Sequence, residues 1–177
     1  TDPIKMIGLI TGKSLSSSIT LPDDTNMITD CDLISKIHQN YAISDQIFID
    51  RTPEFINYRY RKHPNRKYFL EKIGSDICAI YTINNNNGYG EMVVTDLIGE
   101  KKLVSDLLSR LNKIARELHC AYLTIIGDNY LLDDSLILKG FIPKKLKNLV
   151  VFPMDGRMAD AFNYSTWVLS ASLHDSI

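Results

Sequence analysis

The chain has 177 residues, of which 45% are apolar and 23% charged, with 20 basic side chains against 21 acidic ones. That length suits one domain with a buried core, and the near-neutral balance argues against a nucleic-acid partner or attraction to an anionic membrane. No apolar run approaches the roughly 20 residues of a membrane helix and no signal-peptide pattern stands at the start, so the expectation is no membrane partner and a cytoplasmic location.

In chain order, Ile4 to Thr11 is apolar and strand-like. The stretches Ser14-Leu15-Ser16-Ser17-Ser18 and Leu21-Pro22-Asp23-Asp24 read as linker. Residues 1–25 are therefore expected to be an N-terminal strand and linker handed on from a preceding domain, with the domain proper at 26–177. Asn26 to Thr29 is a short strand candidate. Asp30 is placed to cap a helix running to about Tyr41, with Leu33, Ile34 and Ile37 on its apolar face. Thr52-Pro53-Glu54 starts a second helix that ends before Pro64.

Three strands are expected next, at Lys67–Ile73, Ile77–Ile83 and Glu91–Ile98. The turns Gly74-Ser75-Asp76 and Asn84-Asn85-Asn86-Asn87-Gly88 separate them, so they form an antiparallel meander. From Lys101 to His119, Leu103, Val104, Leu107, Leu108, Leu111, Ile114, Ala115 and Leu118 trace one face of a long helix. Ala121–Ile126 reads as a buried strand, parallel to Glu91–Ile98 because a helix joins them. A short helix at Tyr130–Lys139 stops at Gly140. Strands at Phe141–Phe152 and Thr166–Ser172 follow.

Chemistry-bearing residues are sparse. Cys31, Cys78 and Cys120 have no metal or disulfide spacing and read as reduced thiols, and no metal site is expected. His38, His119 and His174 lack metal-spaced partners and read as structural. Tyr58, Arg59, Tyr60, Arg61, Lys62, His63, Arg66 and Lys67 form the densest basic-aromatic cluster, able to stack and hydrogen-bond a ring or an anion. A helix packed by its aromatics, with arginines reaching outward, accounts for the same residues. Phe55 makes residues 55, 58, 59 and 62 the expected core side, with Tyr58 buried and Arg59 at the boundary.

The order strand, two helices, meander, long helix, strand, short helix, strand, strand resembles the GNAT acyltransferase superfamily. Asn129, Gly140 and Phe141 match a GNAT spacing in which Leu136 replaces a Tyr. Phe55 to Pro64 is similar to a stretch of a tandem GNAT-like subgroup linked to polysaccharide biosynthesis. The resemblance implies an α/β (α+β) fold whose mixed sheet has an antiparallel meander, then a parallel β-α-β crossover with a cofactor cleft between splayed strands.

It also implies acetyl-CoA as cofactor, held by Leu97, Ile98, Gly99, Lys101, Lys102 and Asn129. Here the usual glycine-rich phosphate loop keeps a single glycine, Gly99, so weak or absent acetyl-CoA binding is expected. The catalytic candidates are Glu91 or Asp96 as base and Tyr130 as acid, although both carboxylates also read as solvated strand residues. Tyr58, Arg59 and His63 are the acceptor-side candidates. The implied function is an N-acyltransferase acting on an amine of a small molecule, sugar nucleotide or peptide. The alternative is a non-catalytic GNAT-like module that binds a ligand or serves as the partner half of a tandem enzyme. A second GNAT-like domain or a homodimer is the expected protein partner.

Overall fold

The structure, a computed structural model, describes residues 4–9, 21–22, 27–42, 49–86, 88–128, 131, 141–145 and 169–170. Within these, helix α1 (Cys31–Tyr41) is started by Asp30, whose carboxylate accepts the Leu33 amide at 2.9 Å. Thr52 caps α2 (Pro53–Ile56) in the same way, accepting the Phe55 amide at 3.2 Å. That helix continues as one wider π-helical turn (Asn57–Arg61), closed by a 2.8 Å bond from the Lys62 amide to the Asn57 carbonyl. After a 3₁₀ turn (Lys101–Leu103) comes α3 (Val104–Glu117).

The strands are β1 (Ile4–Leu9), β2 (Phe69–Ile73), β3 (Ile77–Asn86), β4 (Tyr89–Gly99), β5 (Cys120–Asp128), β6 (Phe141–Lys145) and β7 (Leu169–Ser170). They form a mixed sheet in the order β2-β3-β4-β5-β1-β6, with β7 also on β5. β2, β3 and β4 are the expected antiparallel meander. The pair Asn86↔Tyr89 leaves a two-residue turn, with Gly88 at φ +86 donating its amide to the Asn85 side chain. β4 and β5 are parallel neighbours, with α3 between them in sequence.

Two differences from expectation concern the N-terminal part. Ile4–Leu9 is an interior strand, paired with β5 on one side and β6 on the other, so residues on both sides of position 25 share one sheet. Of the Asn26–Thr29 strand candidate, the described residues 27–29 form no strand, and Met27 makes one bridge to Phe69. The remaining sequence expectations, the Ser-rich linker, the Tyr130–Lys139 helix and most of the last two strands, lie outside the described residues.

β4 is covered on both faces and is buried along its whole length except Tyr89. On one face Ile77, Ala79, Tyr81, Met92, Val94 and Leu97 pack with Leu107, Leu111 and Ala115 of α3. On the other, Cys78, Ile80 and Ile98 pack with Ile34 and Ile37 of α1 and with Ile56 and Tyr60. The second helix thus seats Ile56 and Tyr60, four residues apart, on the core. Tyr60 is 2% exposed and Tyr58 is 78% exposed. The expected burial of Tyr58 is corrected: Phe55 is only half-buried, and Ile56 sets the inward face.

Candidate functional site

A one-residue irregularity organises the site. The β3–β4 register passes from Ile80↔Asp96 to Tyr81↔Val94, so Thr95 is the extra residue of a β-bulge. Its hydroxyl donates to the Ile80 carbonyl at 3.1 Å. Strict alternation from Met92 and Val94 would aim Asp96 at the apolar α3 side. The bulge shifts the phase, so Leu97 takes that side and Asp96 turns toward α1 and α2.

There Asp96 meets Arg51. The Arg51 Nη2 donates to Asp96 Oδ1 at 2.7 Å, and the Tyr60 hydroxyl donates to Asp96 Oδ2. Arg51 Nη1 also donates to the Ile49 carbonyl at 3.1 Å. Arg51 is 4% exposed and Asp96 1%. Burial works against the guanidinium charge, but the Asp96 carboxylate outweighs it, and the Arg51 pKa is raised. His38, buried nearby, is driven the other way, first by its burial and then by the Arg51 charge. Cys78 sits on the same side, its thiol pushed up to about 12 by burial and by Asp96.

Glu91 lies on the same face of β4, five residues earlier and about 15 Å away along the strand. Thr124 of β5 donates its hydroxyl to Glu91 Oε1 at 2.7 Å, and both are buried. The two expected base candidates are therefore neither solvated nor adjacent. Asp96 is occupied as an ion-pair partner, while Glu91 is a buried acceptor at the β4–β5 seam.

The expected phosphate-binding stretch has a different job. Gly99 stands at φ +129, and a Cβ there would sit 2.2 Å from the Asp76 carbonyl oxygen. Its glycine serves the close approach of β4 to the Gly74–Asp76 turn. The Glu100 amide donates to that same carbonyl at 2.9 Å, and Lys102 pairs with Glu100 at 2.6 Å. Leu97 and Ile98 are buried on opposite faces of the sheet, so their side chains do not converge on one ligand. Lys101 is exposed.

The parallel pairing of β4 and β5 ends at Val94↔Ile125, although β4 continues to Gly99 and β5 to Asp128. Asn129, Tyr130, Leu136 and Gly140 lie outside the described residues. Among the acceptor-side candidates, Tyr58 projects outward and Arg59 is half-buried. His63 packs edge-on against Tyr68 with ring centres 5.5 Å apart, and its Nδ1 accepts the Asn65 amide at 3.3 Å, so it builds the turn after the helix. Among the described residues no cluster of His, Cys, Asp and Glu could hold a metal, and no helix is long and apolar enough to cross a membrane.

Arg51 is the polar residue that sequence reasoning missed at this site, and Tyr60 was legible only as a member of the basic-aromatic cluster. The signal was Asp96 itself, a carboxylate inside the apolar run Val93 to Ile98. A strand covered on both faces obliges such a group to find a cation or donors. Comparison with protein-family models, curated proteins and solved structures gives no match.

Proposed function

We infer that the chain is a GNAT-like N-acyltransferase domain, which takes the arm of an acyl-CoA between β4 and β5 and transfers the acyl group to an amine. The observation that supports this is that the parallel pairing of β4 and β5 stops at Val94↔Ile125, immediately before the Thr95 bulge, although both strands run on. Parallel strands that separate leave backbone groups pointing into a wedge, and an extended ligand with its own amides can pair there.

The chemistry asks little more of the protein. The acceptor nitrogen attacks the thioester carbonyl, a C–N bond forms and the C–S bond breaks. The thiolate leaves, and the amine proton passes to a base. Glu91 suits that role better than Asp96, because Asp96 is held by Arg51 and Tyr60. Tyr58 and Arg59 remain candidates for contact with the acceptor, whether a small molecule, a sugar nucleotide or a peptide.

A second reading, a non-catalytic GNAT-like module that binds a ligand or partners another such domain, is favoured by Gly99. That glycine and the Glu100 amide are engaged with Asp76, so the loop offers no phosphate cradle. The two readings separate by calorimetry with acetyl-CoA and with S-acetylpantetheine, which has the arm but no phosphates. The acyltransferase reading expects saturable binding of both at comparable, weak affinity. Tight acetyl-CoA binding that Lys101→Ala with Lys102→Ala weakens would instead restore a phosphate site. No binding of either ligand would leave the second reading.

A further inference from the structure

The helix begun at Thr52 turns Ile56 and Tyr60 to the core, and its wider last turn leaves Tyr58 outside, at 78% exposure. Arg61 and Lys62, three and four residues on, are exposed as well, and Arg66 is half-buried in the loop that follows. Among the described residues the side chains of these three cations make no ion pair or hydrogen bond, and the Tyr58 ring and hydroxyl are likewise unengaged. Residues 55–70 contain no acid and five of the chain's 20 basic side chains, Arg59, Arg61, Lys62, Arg66 and Lys67, so the rest of the chain holds 15 basic side chains against 21 acidic ones. The Cys31 thiol, raised first by its burial, feels Arg61, Asp32 and Asp30 together, so the first turn of α1 bounds this basic patch on one side.

We propose that Tyr58, Arg61, Lys62 and Arg66 form a docking surface for an acidic peptide segment of a partner protein. Charge complementarity is the ground for it. A guanidinium can hold a carboxylate by two parallel hydrogen bonds, and Tyr58 adds a ring face and a hydroxyl donor. Tyrosine and arginine, with tryptophan, are the side chains in which interfaces concentrate their binding energy. Two other anionic partners fit less well. Single-stranded nucleic acid stacks successive bases on several aromatic faces, but Tyr60, Tyr68 and Phe69 are buried and Phe55 is half-buried, which leaves Tyr58 alone. An anionic bilayer is a broad plane that would also meet the body of the domain, where acids outnumber bases, and residues 55–70 expose no large apolar side chain except Tyr58 to enter it. A short acidic segment meets the patch alone, because exposed charges beyond a Debye length of about 8 Å are screened. The surface needs no acyl transfer, so it stands or falls apart from the acyl-CoA reading above.

Fluorescence anisotropy of a labelled oligoglutamate peptide, titrated with the full chain in the absence of acyl-CoA, tests this. Saturable binding that weakens as salt rises is expected, with none for an oligolysine of equal length. Arg61→Gln, Lys62→Gln and Arg66→Gln together keep the side-chain stems and should weaken binding about tenfold. Lys72→Gln, Lys113→Gln and Arg116→Gln remove the same charge from exposed positions on β2 and α3 and should leave affinity within about twofold. Tyr58→Ala removes no charge and touches no core, and it should cost about fivefold. Unchanged melting temperatures would mark these as losses of contact and not of fold. Equal losses in the two triple variants would overturn the surface, because total charge and not this patch would then drive binding. So would the absence of saturable oligoglutamate binding, or an unaffected Tyr58→Ala variant, whose exposed side chain keeps the test valid even if a triple variant melts early. Tighter binding of oligodeoxythymidine or of phosphatidylserine vesicles, lost in the Arg61, Lys62 and Arg66 variant, would give the patch to nucleic acid or lipid and overturn the peptide partner.

Discussion

At the scale of residues, the Arg51–Asp96–Tyr60 group is the most exacting feature of the molecule. Its charges are almost wholly removed from water, so each must be matched. Asp96→Asn keeps the shape but leaves a buried guanidinium without its counter-ion, and a loss of about 3–5 kcal/mol is expected. Tyr60→Phe removes one donor and should cost about 1–3 kcal/mol. Urea titrations of the two variants would check the order; equal losses would mean that the ion pair contributes no more than the phenol. His38 adds a pH term beside this group. Burial, and then Arg51, lower its pKa in the fold, while Asp50 and Asp96 act weakly the other way. The folded state therefore prefers neutral His38, and the stability this represents is present above the ordinary value near 6.5. It is lost as pH falls below 6.5 through the lowered value. The urea midpoint should decline in that window before the carboxylates titrate, and His38→Gln should flatten the decline.

At the scale of elements, the parts legible in the sequence are those with local causes. Asp30 and Thr52-Pro53 announced their helices because capping is settled within three residues. The apolar spacing from Val104 to Leu118 announced α3 because one face of that helix meets the sheet. The Asn tract announced its hairpin because Asn and Gly accept positive φ. The site was less legible because its causes are distant. The bulge at Thr95 leaves no mark in a run of β-formers, yet it decides which core Asp96 enters. Gly99 looked like the remnant of an anion loop, but its conformation is set by Asp76, 23 residues earlier. This gives an element-scale prediction. Gly99→Ala must either push back the Asp76 carbonyl or change the backbone at φ +129, so it should unfold the β4 end at a cost above about 3 kcal/mol. Gly88→Ala meets nothing within 4 Å and carries only the penalty of positive φ, about 1–2 kcal/mol. Melting temperatures of the pair would show it; similar losses would mean the Asp76 contact relaxes freely.

At the scale of the whole molecule, β2, β3 and β4 each place side chains in both cores. Cys78 belongs to the α1–α2 side and Cys120 to the α3 side. Both thiols are buried, raised to about 12 and about 11 by desolvation first, so neither is ionised at neutral pH in the folded chain. Cys31 is half-buried at the start of α1. If the two cores opened separately, each buried thiol would have its own opening free energy. The burial of β4 on both faces argues otherwise, because losing either core strips one side of the same strand and leaves polar backbone and apolar side chains exposed together. Timed labelling with a small thiol reagent at neutral pH should therefore modify Cys31 first, followed by Cys78 and Cys120 at matching apparent opening free energies. Those two should shift together when Asp96→Asn lowers global stability, even though the substitution touches only the Cys78 side. Selective acceleration at Cys78, with Cys120 unchanged, would show instead that the helical cap of α1 and α2 opens on its own, and that the sheet with α3 is the cooperative unit.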